Sequence, residues 1–424
     1  MNKNFLALGL AAALLAPQVA GAEGFAINEW SAEGVAMGGA RMFAEDDAAN
    51  VAYNPASITK VKGEVMKSSY TYLSPHGSYK LYDSNNDEIK GEPTHNKVHA
   101  GWAVGSYYVR QINDKEWFGI GAFPRFAMVS EFERESKAAT NAFFSKLNGV
   151  SVTPTYAHKF DKKWSAAVGA EINYVGLELQ KNLVIPTAGV NGTTQIEGES
   201  YALGWNAAAN YAFDDKNEIG VVYRSRIKHS LEADLKGYGT KSPASPLVGS
   251  NDVFGNAYGV VTLPDSWNIG YNHKFDKKTR LELKATRTNW STYDALNVYF
   301  DKSLVGIPGI AESSPSAKNW SNGWRYAIGL EHNFSDKYAA MAGFAFDESS
   351  IPHDGGDFMV PTGLRRTYSI GARYNDKKQT VAVALGWMDV GTLDFAGHAT
   401  DAYKSAHAYD SFTKIASISY QRKF

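Results

Sequence analysis

The 424-residue chain predicts an all-β protein, a 14-stranded antiparallel transmembrane β-barrel, on three observations. A short polar turn recurs along it, runs of alternating side chains flank each copy, and no segment after the first 22 residues is apolar enough for a membrane helix. The turns are "INDKEW" at 112–117, "FDKKW" at 160–164, "FDDKNE" at 213–218, "FDKKT" at 275–279, "FSDKY" at 334–338 and "YNDKK" at 374–378. Each sets Asp, Asn and Lys between two alternating runs, the pattern of a tight hairpin.

The runs have one apolar face. Trp164, Ala166, Val168, Ala170, Ile172 and Tyr174 alternate with the small or polar Ser165, Ala167, Gly169, Glu171 and Asn173. At about 3.3 Å per residue the ten steps cover about 33 Å, which a tilt near 40° reduces to an apolar height of about 25 Å with an aromatic at each edge. Tyr338 to Phe346, Tyr368 to Tyr374 and Val381 to Trp387 repeat the pattern. A large soluble β-sandwich also alternates; recurrent aromatics at both ends of small-residue strands favour the barrel.

Residues 1–22, "MNKNFLALGLAAALLAPQVAGA", read as a secretory signal peptide, with Lys3, an apolar stretch and Ala20-Gly21-Ala22 for cleavage. The mature chain then begins at Glu23. Nothing later approaches the roughly 18 apolar residues of a membrane helix, so a spanning chain needs a closed ladder of strands. The chain has no Cys, which leaves the fold to its ladders. A net charge of -1 gives no basic stripe and no nucleic-acid partner. The terminal "SFTKIASISYQRKF" puts Phe412, Ala416, Ile418, Tyr420 and Phe424 on one face. Ending on Phe424, it is similar to the signal by which barrels are handed to the assembly machinery.

Six short turns on the side of both termini require seven connections on the other, hence 14 strands from residue 64 to 424. The connections are expected near 77–96, 131–149, 183–198, 237–258, 302–322, 348–363 and 394–410, each rich in Gly, Pro, Ser, Asn or Asp. Residues 23–63 lack alternation and read as short helical turns broken by Gly and Pro. They form either a periplasmic tail or a plug; Phe25, Ile27, Trp30, Met37, Met42 and Phe43 are apolar enough to fill a lumen of this strand number.

Several blocks resemble the FadL family of outer-membrane channels for long-chain fatty acids and other hydrophobic compounds. They are "GFAINEWSAEGVAMGGA", "AEDDAANVAYNPASIT", "YRSRIKHSLEAD" at 223–234, "LPDSWNIGY" at 263–271, "TNWSTYDAL" at 288–296, "NGWRYAIGLEHNFSDKYAAMAGFAFDESSIP" at 322–352 and the closing strand. The resemblance implies a 14-stranded barrel with residues 23–63 as a hatch in its lumen, Asn54, Pro55 and Ala56 within the hatch, and Phe25 near an inner ligand pocket. It also implies passive transport, with ligand collected on apolar outer loops and released sideways through a kinked third strand.

That strand, "EWFGIGAFPRFAMVSEF", carries Pro124. Proline removes a ladder donor and is expected at an edge or bulge, so Pro124 marks a local break and the candidate lateral opening; a harmless bulge near the rim is the alternative. Phe143 and Phe144, in "NAFFSKL", are the candidate outer collecting site; packing against a neighbouring loop is the alternative. A fatty acid needs an apolar pocket with one or two cations. On the alternating register Arg224, Arg226 and Lys228 share the wet face of the seventh strand and Arg325 lies on that of the tenth. Arg325, Arg224, Lys228 and Lys181 are the candidate carboxylate contacts; pairing with luminal acids such as Glu282 and Glu331 is the competing role. Arg226 departs from what the family resemblance implies at that place.

Enzyme chemistry finds no support: there is no Gly-x-Ser-x-Gly elbow, no phosphate loop and no paired His at metal spacing. No cofactor and no metal are expected, "SIPHDGGD" at 350–357 reading as an ordinary outer loop. The expectation is a monomer in the outer membrane of a Gram-negative bacterium, in contact with outer-membrane lipid, passing a hydrophobic small molecule. Long-chain fatty acid comes first and monoaromatic hydrocarbon second. A general polar-solute porin is the alternative from another class.

Overall fold

The structure is a computed structural model that describes residues 24–93, 95–97, 100–185, 190–239, 253–301, 313–361, 363–398 and 401–424. The expected signal peptide and Glu23 lie outside these residues. The strands form one closed antiparallel barrel of 14, as the turn count requires. They are β1 (Glu64–Tyr82), β2 (Gly101–Gln111), β3 (Glu116–Glu131), β4 (Phe144–Lys159), β5 (Trp164–Ile185) and β6 (Val190–Ala212). Then follow β7 (Asn217–Arg224, continued by Ile227–Gly239), β8 (Val253–Leu263, then Ser266–Lys274), β9 (Thr279–Thr288, then Ala295–Phe300) and β10 (Ser313–Ala317, then Gly323–Asn333). The last are β11 (Tyr338–Asp347), β12 (Arg365–Asn375), β13 (Gln379–Val390, then Leu393–Ala396) and β14 (Ser405–Lys423). β14 closes on β1 from Val65↔Lys423 to Tyr82↔Ser405.

The recurring turn works through one side chain. Asp161 Oδ1 accepts from the Lys163 and Trp164 N–H groups at 2.7 Å each, while Phe160 N–H bonds the Trp164 carbonyl at 3.0 Å. Asp214, Asp276 and Asp376 repeat this capping of the residues two and three ahead, and Ser335 Oγ takes the part in "FSDK". The side chain substitutes for a turn residue with positive φ. These N–H bonds hold the Asp161, Asp276 and Asp376 carboxyls below the usual carboxylate range, and at Asp214 the Asn217 amide contributes most.

The wall faces follow the alternation: Trp164, Val168, Ile172, Tyr338, Tyr368, Ile370, Leu385, Trp387, Ile418 and Tyr420 are exposed on the outside, and their neighbours point in. Tyr72–Trp102, Tyr174–Tyr201, Tyr223–Trp267 and Trp387–Phe412 pair ring to ring across adjacent strands near the outer edge, the girdle expected of an outer-membrane barrel. No helix among the described residues is long and apolar enough to span a membrane; strands do so.

Two expectations need correction. Several stretches assigned to long connections are ladder: β5 and β6 stay paired to Ile185↔Val190, β1 runs to Tyr82 and β4 starts at Phe144. Beyond the membrane both faces of a strand meet water, so the apolar–polar contrast that marks a strand disappears while the hydrogen bonds continue. The second is the wet face of β7. Glu218, Gly220, Val222 and Arg224 point inward, but after the interruption at Ser225 and Arg226 the buried set becomes Ile227, His229 and Leu231. The irregularity shifts the phase by one residue, which sends every later side chain to the opposite face. Lys228 and Arg226 are therefore exposed outside, Arg226 on Asp265 at 3.0 Å.

Residues from Gly24 to Val61 are buried almost throughout and bond to inward-facing groups on strands all round the barrel. They hold helix α1 (Ala32–Ala36), capped by Ser31 Oγ on Gly34 N–H, helix α2 (Asn50–Tyr53) and a 3-10 turn (Pro55–Lys60). Ala32 N–H bonds Ser419 on β14, Ala48 N–H bonds Gln421 on the same strand, and Asn54 bonds Asn210 on β6. A close backbone approach explains one glycine: a Cβ at Gly343 of β11 would fall 2.2 Å from the Gly38 nitrogen.

Candidate ligand site

Three features meet where the N-terminal segment reaches β3. The first is a break in the ladder. β2 and β3 pair from Gln111↔Trp117 only to Ser106↔Ala122, and the β3–β4 register shifts between Pro124 and Phe126. Among the described residues no ladder bond joins Gly101–Gly105 to β3, and contact resumes at Lys97 N–H on the Glu131 carbonyl, 2.7 Å. Pro124, which has no N–H to give a ladder, lies within this stretch of β3 that is unpaired with β2. Part of the freed edge is taken by the N-terminal segment: Ile27 N–H bonds the Arg125 carbonyl and Ala127 N–H bonds the Phe25 carbonyl, both at 2.9 Å, and Trp30 Nε1 donates to the Pro124 carbonyl at 2.6 Å.

The second feature is apolar. Phe25, 1% exposed, lies among Trp290 at 4.7 Å, Tyr293 at 5.5 Å, Trp320 at 5.8 Å and Phe126 at 6.1 Å between ring centres. The same buried cluster also holds Ile351, Phe132, Phe358, Phe395 and Tyr403. Edge-to-face rings of this kind give a large apolar surface at little rotamer cost. A concavity of about 920 Å³ lies elsewhere: Glu178, Glu197, Glu199, Glu232 and Asp234 line it. Its carboxylates suit neither an apolar tail nor an anionic head.

The third is charge. Arg125 Nη1 bonds Glu171 at 3.0 and 3.1 Å, Ser151 Oγ donates to the same carboxylate at 2.6 Å, and Arg224 Nη1 stands 3.8 Å from its other oxygen. Arg224 Nη2 donates to the Val51 and Ala52 carbonyls of the N-terminal segment, and its guanidinium lies 5.4 Å from the Phe123 ring and 5.9 Å from that of Trp30. Deeper in, Glu331 accepts Arg41 at 2.8 Å, Arg280 at 2.8 Å and Arg373 at 2.7 Å; Arg280 also meets Glu282, which caps Met42 N–H. Lys67 bridges Glu33 at 2.8 Å and Asp47 at 2.9 Å.

The sequence-predicted residues divide accordingly. Phe25 and Pro124 come together at the break. Asn54, Pro55 and Ala56 fasten the segment: Asn54 Oδ1 accepts Ala56 N–H at 3.2 Å, and the Ala56 carbonyl accepts Ser165 Oγ at 3.2 Å. Arg325 is buried with both Asp347 oxygens at 2.7 Å and the Gly38 carbonyl at 3.0 Å, so it is committed to the wall and the segment. Lys228 points away from the lumen, and Lys181 is half-buried high on β5. Phe143, expected to be exposed, is 8% exposed with the Arg134 guanidinium 5.6 Å from its ring, because its N–H and carbonyl tie Gln180 to Phe132; Phe144 is half-buried as the first residue of β4. Sequence reasoning missed Arg125 and the ring of Trp290, Tyr293 and Trp320. An arginine beside the ladder-breaking proline was the available signal for the first.

A family model described as outer membrane protein transport protein (OMPP1/FadL/TodX) matches residues 13–424. The long-chain fatty acid transport protein of Escherichia coli O6:H1 is 24% identical over 87% of this chain and 86% of its own length. Outer membrane protein P1 of Haemophilus influenzae is 23% identical over 88% and 86%. Among solved structures, a FadL homologue of Pseudomonas aeruginosa superposes with a TM-score of 0.81 at 19% identity, over 95% of this chain and 100% of that one. The Pseudomonas putida toluene transporter TodX superposes with a TM-score of 0.70 at 16% identity, over 95% and 100%.

Proposed function

We propose, for a chain that belongs to the OMPP1/FadL/TodX family of outer-membrane transport proteins, the passive uptake of long-chain fatty acids. The family carries hydrophobic substrates across the outer membrane of Gram-negative bacteria, and this chain resides there. In our reading residues 23–63 act as a hatch, ligand gathers in the apolar cluster under the loops, and it leaves sideways between β2 and β3. The observation that carries this is the joining of two features at one residue: Phe126 contacts the Phe25 and Trp290 rings and also lies at the break beside Pro124. A route that ends at an unpaired stretch of wall delivers an apolar molecule to lipid, where its tail is most stable.

The E. coli relative, a long-chain fatty acid transport protein, favours the fatty acid; the toluene transporters share the fold and keep monoaromatic hydrocarbon as the second reading. A general porin is disfavoured by the buried segment that occupies the lumen. The deciding experiment is an equilibrium titration of detergent-folded protein with oleate, competed by palmitate and by toluene. Saturable oleate binding displaced by palmitate is the expected result; toluene binding without oleate binding would move the substrate to aromatic hydrocarbons. For the exit, Pro124→Val supplies the absent N–H. Cells carrying it are expected to lose oleate uptake while the purified variant still binds oleate, and normal uptake would place the exit elsewhere.

A further inference from the structure

We propose that the inner wall behind the β3 break contains a carboxylate subsite formed by Arg125, Arg224, Asn206 and Thr153, a proposal that rests on fatty acid as the substrate. The argument starts from charge. Arg125 and Arg224 share the single carboxylate of Glu171 within one bonded cluster, in which Ser151 and Asn173 add only neutral groups and His229 Nε2 meets Asn173 Oδ1 at 2.9 Å. Arg226 is no part of it, being paired with Asp265 outside. With His229 neutral one positive charge is left over, in residues at most 4% exposed. A buried charge without a counter-charge is costly, so the cluster favours one more anion.

The polar atoms around it want the same thing. Arg224 Nη1, both amide atoms of Asn206 and Thr153 Oγ1 are buried without a hydrogen-bond partner, although buried donors are ordinarily paired. They belong to one patch. Asn206 opposes Arg224 across β6–β7 and Gly169 across β5–β6, Gly169 is two residues from Glu171 on the same face, and Thr153 is two residues from Ser151. Gly169 keeps the patch clear: a Cβ there would fall 2.7 Å from Asn206 Nδ2 and 2.8 Å from Thr155 Oγ1. Donors from a guanidinium, an amide and a hydroxyl, with a net positive charge, match a carboxylate, whose two oxygens accept about four bonds.

The tail has an adjoining surface. The Arg125 guanidinium lies 4.9 Å from the Phe126 ring, and Phe126 opens onto Phe25 and Trp290. Head and tail are thus received on the two sides of the residue that follows the kink.

The test uses two near-neutral changes, Thr153→Val, which keeps shape and removes a donor, and Asn206→Ala, with oleate and oleyl alcohol as probes of equal chain length. Heat-modifiable migration on gels verifies that each barrel is folded. Each variant is expected to bind oleate about tenfold more weakly while binding oleyl alcohol as the wild type does. Unchanged oleate affinity in both, or equal weakening for both probes, overturns the subsite and leaves fatty-acid transport standing. A wild type that binds no oleate overturns both.

Discussion

Replacing Glu331 by alanine is expected to loosen the N-terminal segment while the barrel stays folded. Glu331 is, among the described residues, the one carboxylate that Arg41 of the segment shares with Arg280 and Arg373 of the wall, at 2.7–2.8 Å, with Arg41 and Glu331 themselves buried. Taking one partner from a buried ion cluster costs about 3–5 kcal/mol, because the charges left behind keep their desolvation penalty. Arg41 retains Asp47 at 3.2 Å and Arg280 retains Glu282 at 2.8 Å, which places the effect at the lower end. A shift of about two orders of magnitude in the ratio of closed to released segment follows. Single-channel recording should show frequent openings, and limited proteolysis should cut within residues 24–63. A variant as quiet and as protease-resistant as the wild type would mean that the ion cluster does not hold the segment. Glu331→Gln, which keeps the shape and two polar atoms, should fall between.

Deleting residues 23–63 should have the larger effect on conductance. The segment contributes Ile27, Trp30, Met37, Met42, Phe43, Val51 and Tyr53 to the inner core, each at most 7% exposed, and a barrel of this strand number without filling encloses a water-wide lumen. A steady, porin-like current in planar bilayers is the expected result. A truncated barrel that migrates as folded and still blocks ions would remove the segment as the barrier. The charges it uncovers, among them Lys67, Arg224, Arg280, Arg325 and Glu331, would then line water and lose most of their mutual attraction.

What could be read along the chain is what is local in it. Strand number, the side each residue faces on most strands, the capped turns and the girdle come from period-2 alternation and from side chains that bond their own backbone two or three residues on. Pro124 belongs with them, since a missing N–H disrupts a ladder wherever the strand is placed. The pairings of the charges could not be read this way. Arg41 meets Glu331 from 290 residues away, Arg325 meets the Gly38 carbonyl from 287 and Arg224 meets Ala52 from 172, and no spacing announces such partners. The phase change at Ser225 and Arg226 was equally hidden, because it took Lys228 out of the lumen without altering the composition of the strand. The lumen is where the tertiary structure made its own decisions: alternation requires only that its side chains be small or polar, and closure of the barrel around residues 24–63 chose which of them touch.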